Sequence, residues 1–506
     1  MTAPVRSPES ASSAARLVRT SLGFVVIAAV CLFFSDIEIH VVDPWLELGR
    51  IGAGMLTPDF WSTEALLKAL ANTLAFALLG VAIAVPVGGL LALAFKWRLV
   101  RMYCAFTRSI HELFWALLLM QLFGLTTLTG VLAIAIPYAG IFAKVYAEIL
   151  EESDSQALQL LPPGSGWFSS FLYARLPQVY PHLKSYTQYR LECSIRSSAV
   201  LGFIGLPTLG FHLETAFSQG LYSQAAALLY LFFVLIFSLR CLLSRGWLLP
   251  VYLIAAILWL PWQLRFDWDL IWRFISVDML PAPLRGQSLA DPHTWSDLGQ
   301  WCWMLLNGQA TLGILNTLVL SLIAMVATGL VTLLLFPLIS SQFFRRPGRT
   351  AGHILLVMFR STPELMIAFV ALLVLGPSML PALLALALHN GAVIAHLIGR
   401  YSDALVLRED ASTGLNRYLF EVLPRIYRQF LAFLFYRWEV ILRETAILGI
   451  LGIHTIGFFI DSAFAELRFD RALFLILIAA ALNMGVDSVA RWLRLRLKLS
   501  NLPQSG

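Results

Sequence analysis

Charged residues are scarce in this sequence. Asp, Glu, Lys and Arg make up only 13% of its 506 residues, against about 25% in a water-soluble domain. Apolar residues reach 59%, and the mean hydropathy is +0.77. A soluble fold could not bury so much apolar surface, so lipid must solvate most of the chain. The same composition excludes intrinsic disorder, which needs low hydrophobicity and high net charge.

Cysteine and enzyme motifs are equally sparse. The five cysteines are odd in number and far apart, which excludes a disulfide framework and a C-x-x-C metal pair. The chain contains no Gly-Lys dipeptide and therefore no G-x-x-x-x-G-K-[ST] phosphate-binding loop. H-E-x-x-H and G-x-S-x-G are absent as well. We therefore expect no enzyme activity in this chain, and no catalytic, cofactor or metal site of its own.

Long apolar runs are the dominant feature that is present. Continuous runs of about twenty apolar residues have the length of a membrane-spanning helix, whereas a membrane barrel would alternate in polarity over about ten residues. We predict an all-α polytopic membrane protein with about twelve spans, or ten if two short pairs are bent hairpins. The predicted spans lie near 20–36, 70–95, 111–125, 129–147, 198–218, 223–243, 247–265, 311–337, 361–376, 379–399, 445–463 and 472–490.

Lys and Arg are distributed unevenly between the connecting segments. If the N-terminus is cytoplasmic, 29 of the 36 basic residues lie on the inside, as the positive-inside rule requires. We therefore expect both termini in the cytoplasm and long inside loops at about 148–196 and 400–444. The same bias explains the formal charge of +6, so the expected surroundings are a lipid bilayer and nucleic acid is not an expected partner.

The two halves of the chain repeat one another. Both copies have the same predicted orientation, so we expect a parallel pseudo-dimer of residues 1–246 and 247–506. The matching segments are Tyr189 to Gly210 with Tyr436 to Gly457 at a constant offset of 247, Arg108 to Leu113 with Arg360 to Leu365, and Asn72-Thr73-Leu74 with Asn316-Thr317-Leu318.

Three residue groups inside the repeat are candidates for function. Acid–base pairs with i,i+4 spacing favour a helical ion pair. Such a pair either stabilises the helix at the membrane surface or helps an anion to leave the pathway. Glycines at matching positions of the two halves allow close helix packing, or form a hinge or gate. Acids at a span start fit the helix dipole or a proton relay. The candidates are Arg190, Glu192, Arg196, Arg437, Glu439 and Arg443; Gly202, Gly205, Gly210, Gly449, Gly452 and Gly457; and Glu112 and Glu364.

These motifs resemble those of an ABC importer permease of the binding-protein-dependent class, most closely its phosphonate-type branch, with two permease units fused. The resemblance runs from about Asn72 to Val489. It implies the type I permease fold, a bacterial inner membrane, an outside substrate-binding protein, and two copies of a cytoplasmic ABC ATPase that hold the ATP and Mg. The residues that would couple the inside loops to the ATPase are Gly164, Arg175 and Pro177, with Gly414 and Pro424 in the second half.

The sequence therefore predicts the permease subunit of an importer for a phosphonate or a related small phosphorus oxyanion. One alternative is an ABC permease for another ligand, such as phosphate, iron or an amino acid. A second is a secondary transporter on a parallel repeat, which would need coupling-ion sites near the bilayer midplane. The stretches near 70–95, 223–243 and 472–486 are almost free of ionisable groups at mid-depth, which argues against that alternative. In a scaffold protein the charge pattern of the repeat would be incidental.

Overall fold

The computed structural model of the protein describes residues 8–63, 65–153, 166–244, 246–262, 267–288, 290–408, 410, 412–497 and 499. Within these ranges every regular element is helical. The earlier helices are α1 (Pro8–Phe33), α2 (Pro44–Leu56), α3 (Leu66–Leu93), α4 (Arg98–Ser109), α5 (Glu112–Phe123), α6 (Thr127–Glu152), α7 (Leu176–Val200), α8 (Leu209–Ser218), α9 (Tyr222–Ser244) and α10 (Leu249–Trp259). The later helices are α11 (Trp268–Arg273), α12 (Pro292–Leu305), α13 (Thr311–Leu335), α14 (Arg346–Ser361), α15 (Glu364–Leu375), α16 (Met379–Asp403), α17 (Leu423–Ile447), α18 (Ile456–Ala465) and α19 (Phe469–Arg496).

Several of these helices are long enough to cross a membrane. Six in the described part of the chain qualify by length and apolar composition, and three more pairs qualify jointly but are bent by 51°, 93° and 44° at a short break. The predicted all-helical, multi-pass membrane protein is confirmed. The number of twelve spans stays a prediction, because the apolar helices α5, α9 and α10 are shorter than about 20 residues over their apolar stretch.

Residues Gly49–Asp278 form one compact unit. Its core is the packing of α3 against α6, with α7 beside both helices and α10 against α3. Phe76, Ile134 and Phe142 are buried in this core. Because α3 is apolar on nearly all sides, one side can pack on α6 while others remain suited to lipid.

Residues Met1–Leu48 and Met279–Gly506 form the other compact unit. Here α13 packs against α16, α17 and α1, and α17 packs against α19. The Phe24 ring of α1 lies 5.3 Å from the Phe435 ring of α17. Helix α1 therefore belongs to this unit, whereas α10 belongs to the 49–278 unit, although the repeat boundary predicted at 246 would assign both helices the other way. That boundary stays a prediction about the repeat.

Most of the two segments predicted as long loops is helical. Helix α7 covers much of 148–196, and α17 covers the end of 400–444. A hydropathy scan passes over such helices because it detects apolar runs only, and α7 and α17 carry many polar and charged residues. Conversely, the predicted spans 198–218 and 445–463 are each interrupted, at 205–208 and 452–455.

Candidate functional site

Each of these polar helices ends in a tight break built on glycine. Helix α7 passes into a 3-10 turn at Leu201–Ile204, and α17 does so at Leu448–Leu451. Gly205 and Gly452 follow with φ of +94° and +85°, a conformation that glycine adopts without strain. The chain then enters α8 and α18 at bends of 51° and 44°. The same break in the helical backbone therefore occurs in both units.

Gly202 and Gly449 are required by close approach of the backbone. A Cβ built on either residue would lie 2.1 Å from the backbone nitrogen nine residues further on, so no larger side chain fits there. Gly210 and Gly457, near the starts of α8 and α18, are buried. All three predicted glycine pairs therefore belong to the same break, and their role as a hinge or gate stays a prediction.

Asn72 and Thr73 of α3 hold the break between α7 and α8 in place through hydrogen bonds. Asn72 donates from Nδ2 to the Pro207 carbonyl at 2.7 Å, and Asn72 Oδ1 accepts from Trp259 Nε1 at 2.8 Å. Thr73 Oγ1 accepts from the Leu209 amide at 2.8 Å. The Thr73 hydroxyl therefore satisfies one of the amides that a helix start leaves without an intrahelical partner.

The same contacts recur in the other unit. Asn316 donates from Nδ2 to the His454 carbonyl at 2.8 Å, and Thr317 Oγ1 accepts from the Ile456 amide at 3.0 Å. The short Asn-Thr-Leu motif of the repeat is thus explained by a hydrogen-bonding task that both units share.

A buried hydrogen-bonded cluster surrounds Glu112 at the start of α5. The Ser197 hydroxyl donates to Glu112 Oε1 at 2.5 Å, and the Tyr138 hydroxyl lies 3.1 Å from Ser197 Oγ. His111 Nε2 lies 3.5 Å from Glu112 Oε2. The Arg190 guanidinium lies over the Tyr138 ring, 4.6 Å from its centroid. This cluster joins α5, α6 and α7.

A second cluster surrounds Glu364 at the start of α15. His389 Nε2 lies 3.6 Å from Glu364 Oε2, and Asn390 Nδ2 donates to Glu444 Oε2 at 2.8 Å. An Arg437 nitrogen lies 3.7 Å from Glu444 Oε1, and Arg437 Nε donates to Asn390 Oδ1. Arg437, Asn390 and Glu444 therefore form a charge-assisted network that joins α16 and α17.

The two clusters are built at equivalent positions of the repeat. Four positions of one cluster correspond to four positions of the other. Two of them hold the same residue type in both units, and in the other two a phenol is replaced by an amide and a hydroxyl by a carboxylate. The equivalent pairs are Glu112 and Glu364, Tyr138 and Asn390, Arg190 and Arg437, and Ser197 and Glu444.

The histidines reach equivalent places from positions that are not equivalent. His111 directly precedes Glu112, where the other unit has Pro363. His389 lies on α16, where α6 has Pro137 at the equivalent position. Histidine and proline have thus exchanged positions between the units, and in both units an imidazole Nε2 lies near the glutamate.

Different side chains also bond equivalent backbone carbonyls near the ends of α4 and α14. Trp115 Nε1 donates to the Thr107 carbonyl at 3.2 Å. At the equivalent place His389 Nδ1 lies 3.2 Å from the Phe359 carbonyl and 2.9 Å from the Thr362 carbonyl. Carbonyls in the last turn of a helix lack intrahelical partners. Trp115 therefore stabilises the end of α4, and His389 stabilises the end of α14.

The predicted i,i+4 pairs lie on matching parts of α7 and α17. Glu192, Arg196, Glu439 and Arg443 are all partly buried. Arg196 donates to the Cys193 sulfur at 3.2 Å. The ion-pairing and anion-exit roles of these residues stay predictions.

Among the described residues proposed for coupling, Arg175 is half-buried and the others are exposed. Arg175 donates to the Leu150 carbonyl, and its Nε lies 3.4 Å from Ser153 Oγ, which ties the segment before α7 to the end of α6. Pro177 is exposed, and Gly164 lies outside the described residues.

The corresponding segment of the other unit is held differently. Glu421 accepts hydrogen bonds from Arg408 and, at 2.7 Å, from Arg425. The Glu421 side chain is 5% exposed, whereas Gly414 and Pro424 are exposed. A buried carboxylate bonded by two guanidinium groups fixes the start of α17 to the segment before it.

Sequence reasoning identified single members of the two clusters but not the clusters. Glu112, Glu364, Arg190 and Arg437 stand out because the same residue type recurs in both halves. Their partners differ in type between the halves, so a search for recurring residues passes over them. The offset between the halves would have found them, because Tyr138 and Asn390, and Ser197 and Glu444, are polar residues at equivalent positions. The missed members are Tyr138, Ser197, Asn390 and Glu444.

Comparison with known proteins identifies similar transport permeases. The chain is 27% identical over 425 residues to a phosphate-import permease protein of Mycolicibacterium smegmatis, covering 78% of this chain and 77% of that protein. It is 30% identical over 202 residues to a phosphite transport system permease protein of Stutzerimonas stutzeri, covering 38% and 72%. It is 32% identical over 115 residues to a cryptic phosphonate transport system permease protein of Escherichia coli, covering 22% and 94%. No family model and no solved structure matches the chain.

The extent of these matches agrees with the internal repeat. One relative matches most of the chain, and the other two match shorter segments of it. The duplicated breaks and clusters are the structural counterpart of that repeat. The chain therefore belongs to the family of phosphonate- and phosphite-type ABC importer permeases, in which it is a non-catalytic transport subunit.

Proposed function

We propose that this protein is the membrane-spanning subunit of an ATP-driven, binding-protein-dependent importer of a phosphonate or a related small phosphorus oxyanion. The observation that carries the proposal is the kinship to permeases named for phosphate, phosphite and phosphonate transport. These three ligands share a tetrahedral phosphorus with anionic oxygens, so the common chemistry is a small oxyanion.

In this proposal the chain holds about twelve transmembrane helices in two pseudo-symmetric halves, 1–246 and 247–506, in a bacterial inner membrane with both termini in the cytoplasm. The excess of Lys and Arg on one set of connecting segments supports this orientation. Two equivalent sets of helices that change their packing together would give alternating access.

The energy source lies on a partner in this proposal. The chain lacks a G-x-x-x-x-G-K-[ST] loop, so two copies of a cytoplasmic ABC ATPase would hold the ATP and Mg, and an outside binding protein would deliver the ligand. Pro177 and Pro424 are exposed in the first turns of α7 and α17, and Gly414 is exposed before α17. Together with Gly164 and Arg175 they are our candidates for contact with the ATPase.

The breaks after α7 and α17 are the proposed moving parts. Each joins a polar helix to a short buried helix through glycines, and the predicted i,i+4 residues precede it by one to three helical turns. A push on the start of α7 or α17 would then reach the break along a rigid helix. Arg196 and Arg443 are the proposed cations that an oxyanion meets as it leaves.

A reconstituted complex tests the proposal. The chain is purified from its native membrane with the proteins that remain bound, identified by mass spectrometry, and placed in proteoliposomes. We expect a P-loop ATPase at about two copies per chain and ATP-dependent uptake of methylphosphonate, phosphite or phosphate, each tested separately.

Different outcomes separate the alternatives. ATP-dependent uptake of iron or an amino acid, but of none of the three oxyanions, would keep the ABC class and reject the ligand. Uptake driven by an ion gradient without any bound ATPase would reject the class in favour of a secondary transporter.

A further inference from the structure

Three potential metal ligands meet in the second cluster. Within the described residues, one ligand atom each from Glu364, His389 and Glu444 lies within 4.8 Å of the other two. His389 is 1% exposed and Glu444 is 4% exposed, and the Glu364 side chain is 14% exposed. The residues come from α15, α16 and α17, so their spacing in the sequence resembles no metal motif.

The hydrogen on His389 is located by its neighbours. Nδ1 faces the Thr362 and Phe359 carbonyls at 2.9 and 3.2 Å, and a carbonyl oxygen can only accept. Nδ1 therefore carries the hydrogen, and a neutral imidazole then presents a lone pair at Nε2. That lone pair faces Glu364 Oε2 at 3.6 Å, and two acceptors at this distance call for a cation between them.

The first unit has no such requirement, because its histidine has the opposite tautomer. His111 Nδ1 accepts from the Leu113 amide at 3.2 Å, so a neutral His111 carries its hydrogen on Nε2, towards Glu112 at 3.5 Å. Ser197 donates a second hydrogen to Glu112. At the place of Ser197 the other unit has the carboxylate Glu444. At this place a carboxylate acceptor therefore replaces the hydroxyl donor of the first cluster.

We propose that Glu364, His389 and Glu444 bind one divalent first-row transition-metal ion, such as Zn²⁺ or Mn²⁺. An imidazole with two carboxylates is a ligand set that these ions accept. Two ligand atoms on a tetrahedral ion at about 2.1 Å lie about 3.4 Å apart, close to the separation of His389 Nε2 from Glu364 Oε2. Donation from the other ring nitrogen to a backbone carbonyl is the usual way in which metal-binding histidines are oriented.

The surroundings of Glu444 combine charges of both signs. Its carboxylate interacts with the carboxylate of Glu364 and with the guanidinium groups of Arg437 and Arg443. Asn390 bonds both Glu444 and Arg437, which leaves the carboxylate of Glu444 oriented by its neighbours before a metal binds. The proposed ion would join α15, α16 and α17 near the bend between α14 and α15, and it does not depend on which ligand the protein transports.

Metal analysis of the purified full-length chain tests the proposal. The protein is loaded in detergent with Zn²⁺, Mn²⁺ or Fe²⁺ in turn, desalted, and its metal content measured by mass spectrometry. We expect about one ion per chain for at least one metal, and a loss of at least tenfold in His389→Ala and in Glu444→Ser. The matched control Glu112→Gln changes the equivalent glutamate of the other unit and should keep the metal.

A second measurement covers variants that do not fold. Wild-type protein is stripped with a chelator, and its thermal unfolding midpoint is followed while the metal is added back; we expect a fall of several degrees and full recovery. A wild-type chain that binds less than a tenth of an ion per molecule, or whose midpoint ignores both chelator and metal, would overturn the proposal. Protons on His389 and Glu444, with no metal ion, would then account for the close approach of these three side chains.

Discussion

At the scale of residues, the two units preserve contacts more strictly than residue types. Equivalent carbonyls near the ends of α4 and α14 are bonded by Trp115 in one unit and by His389 in the other. The group next to the central glutamate is the hydroxyl of Ser197 in one unit and the carboxylate of Glu444 in the other. The packing of the helices determines which contact is made at each position, and side chains of different types can make it.

The hydroxyl of Ser197 should matter because it donates to a buried carboxylate. Removing one partner leaves Glu112 with the desolvation cost of an acceptor, about 1–3 kcal/mol. We expect Ser197→Ala to lower the thermal unfolding midpoint in detergent. Ser218→Ala, on an exposed turn of α8, is the control; equal effects of the two variants would contradict this prediction.

Gly202 and Gly449 should not tolerate alanine. The added Cβ would lie 2.1 Å from a backbone nitrogen, so the break must open, at a cost of about 1–3 kcal/mol or more. Thermal unfolding of Gly202→Ala and Gly449→Ala measures the effect. Gly89→Ala is the control, because nothing lies within 4 Å of its Cβ; a stable Gly202→Ala would show that the break is not rigid.

At the scale of elements, the fold depends on side chains that hold separate helices at the breaks. Helix propensity cannot produce the sharp change from α7 to α8 or from α17 to α18, since both sides of each break are helical. The Asn-Thr pairs of α3 and α13 supply the hydrogen bonds that the broken backbone lacks.

The two asparagines of these pairs should differ in importance. Asn72 is 5% exposed and bonds both Pro207 and Trp259, whereas the bond from Asn316 to His454 is exposed. We expect Asn72→Ala to cost about 1–3 kcal/mol and Asn316→Ala clearly less, measured by thermal unfolding. A larger loss of stability in Asn316→Ala than in Asn72→Ala would contradict the contribution that we assign to burial.

The segment before α17 should depend on Glu421. Its carboxylate accepts from Arg408 and Arg425, so Glu421→Gln should loosen the chain around residues 404–425. Limited proteolysis of the purified protein should then cut this segment several-fold faster. Asp410→Asn is the control, because Asp410 is 84% exposed and lies 4.0 Å from Arg408; equal cleavage rates in the two variants would reject the idea.

At the scale of the whole molecule, duplication is the main organising feature. Each half supplies a polar helix, a glycine break, a short buried helix and a charged cluster. Contacts group the helices differently from the sequence, since α1 packs in the unit of α13 and α10 packs in the unit of α3. The chain therefore contains two copies of one set of structural elements.

The proposed exit of an anion past Arg196 and Arg443 can be tested on this pair. We expect Arg196→Ala and Arg443→Ala each to lower oxyanion uptake in proteoliposomes several-fold, with normal amounts of protein in the membrane, because each removes one positive charge from the proposed path. The exposed Arg98 of α4 is the control, as Arg98→Ala. Uptake that is unchanged in the double variant would remove the anion-exit role and leave the family assignment intact.

Much of the architecture was predictable from apolar runs and from the repeat. Apolar runs located α3, α6, α16 and α19 to within a few residues. Helices α7 and α17 were predicted only around their i,i+4 pairs, and their earlier parts were missed because polar residues conceal them from a hydropathy scan. The clusters around Glu112 and Glu364 were missed because their members come from three helices each and differ in type between the halves.

Composition and residue order alone establish a helical multi-pass membrane protein with a duplicated motif, because burial in lipid requires long apolar helices and a repeat is visible by comparison within the chain. The packed fold adds the placement of α1 and α10, the breaks after α7 and α17, and the meeting of His389 with Glu364 and Glu444. These depend on contacts between residues far apart in the sequence, and such contacts arise only when the helices pack.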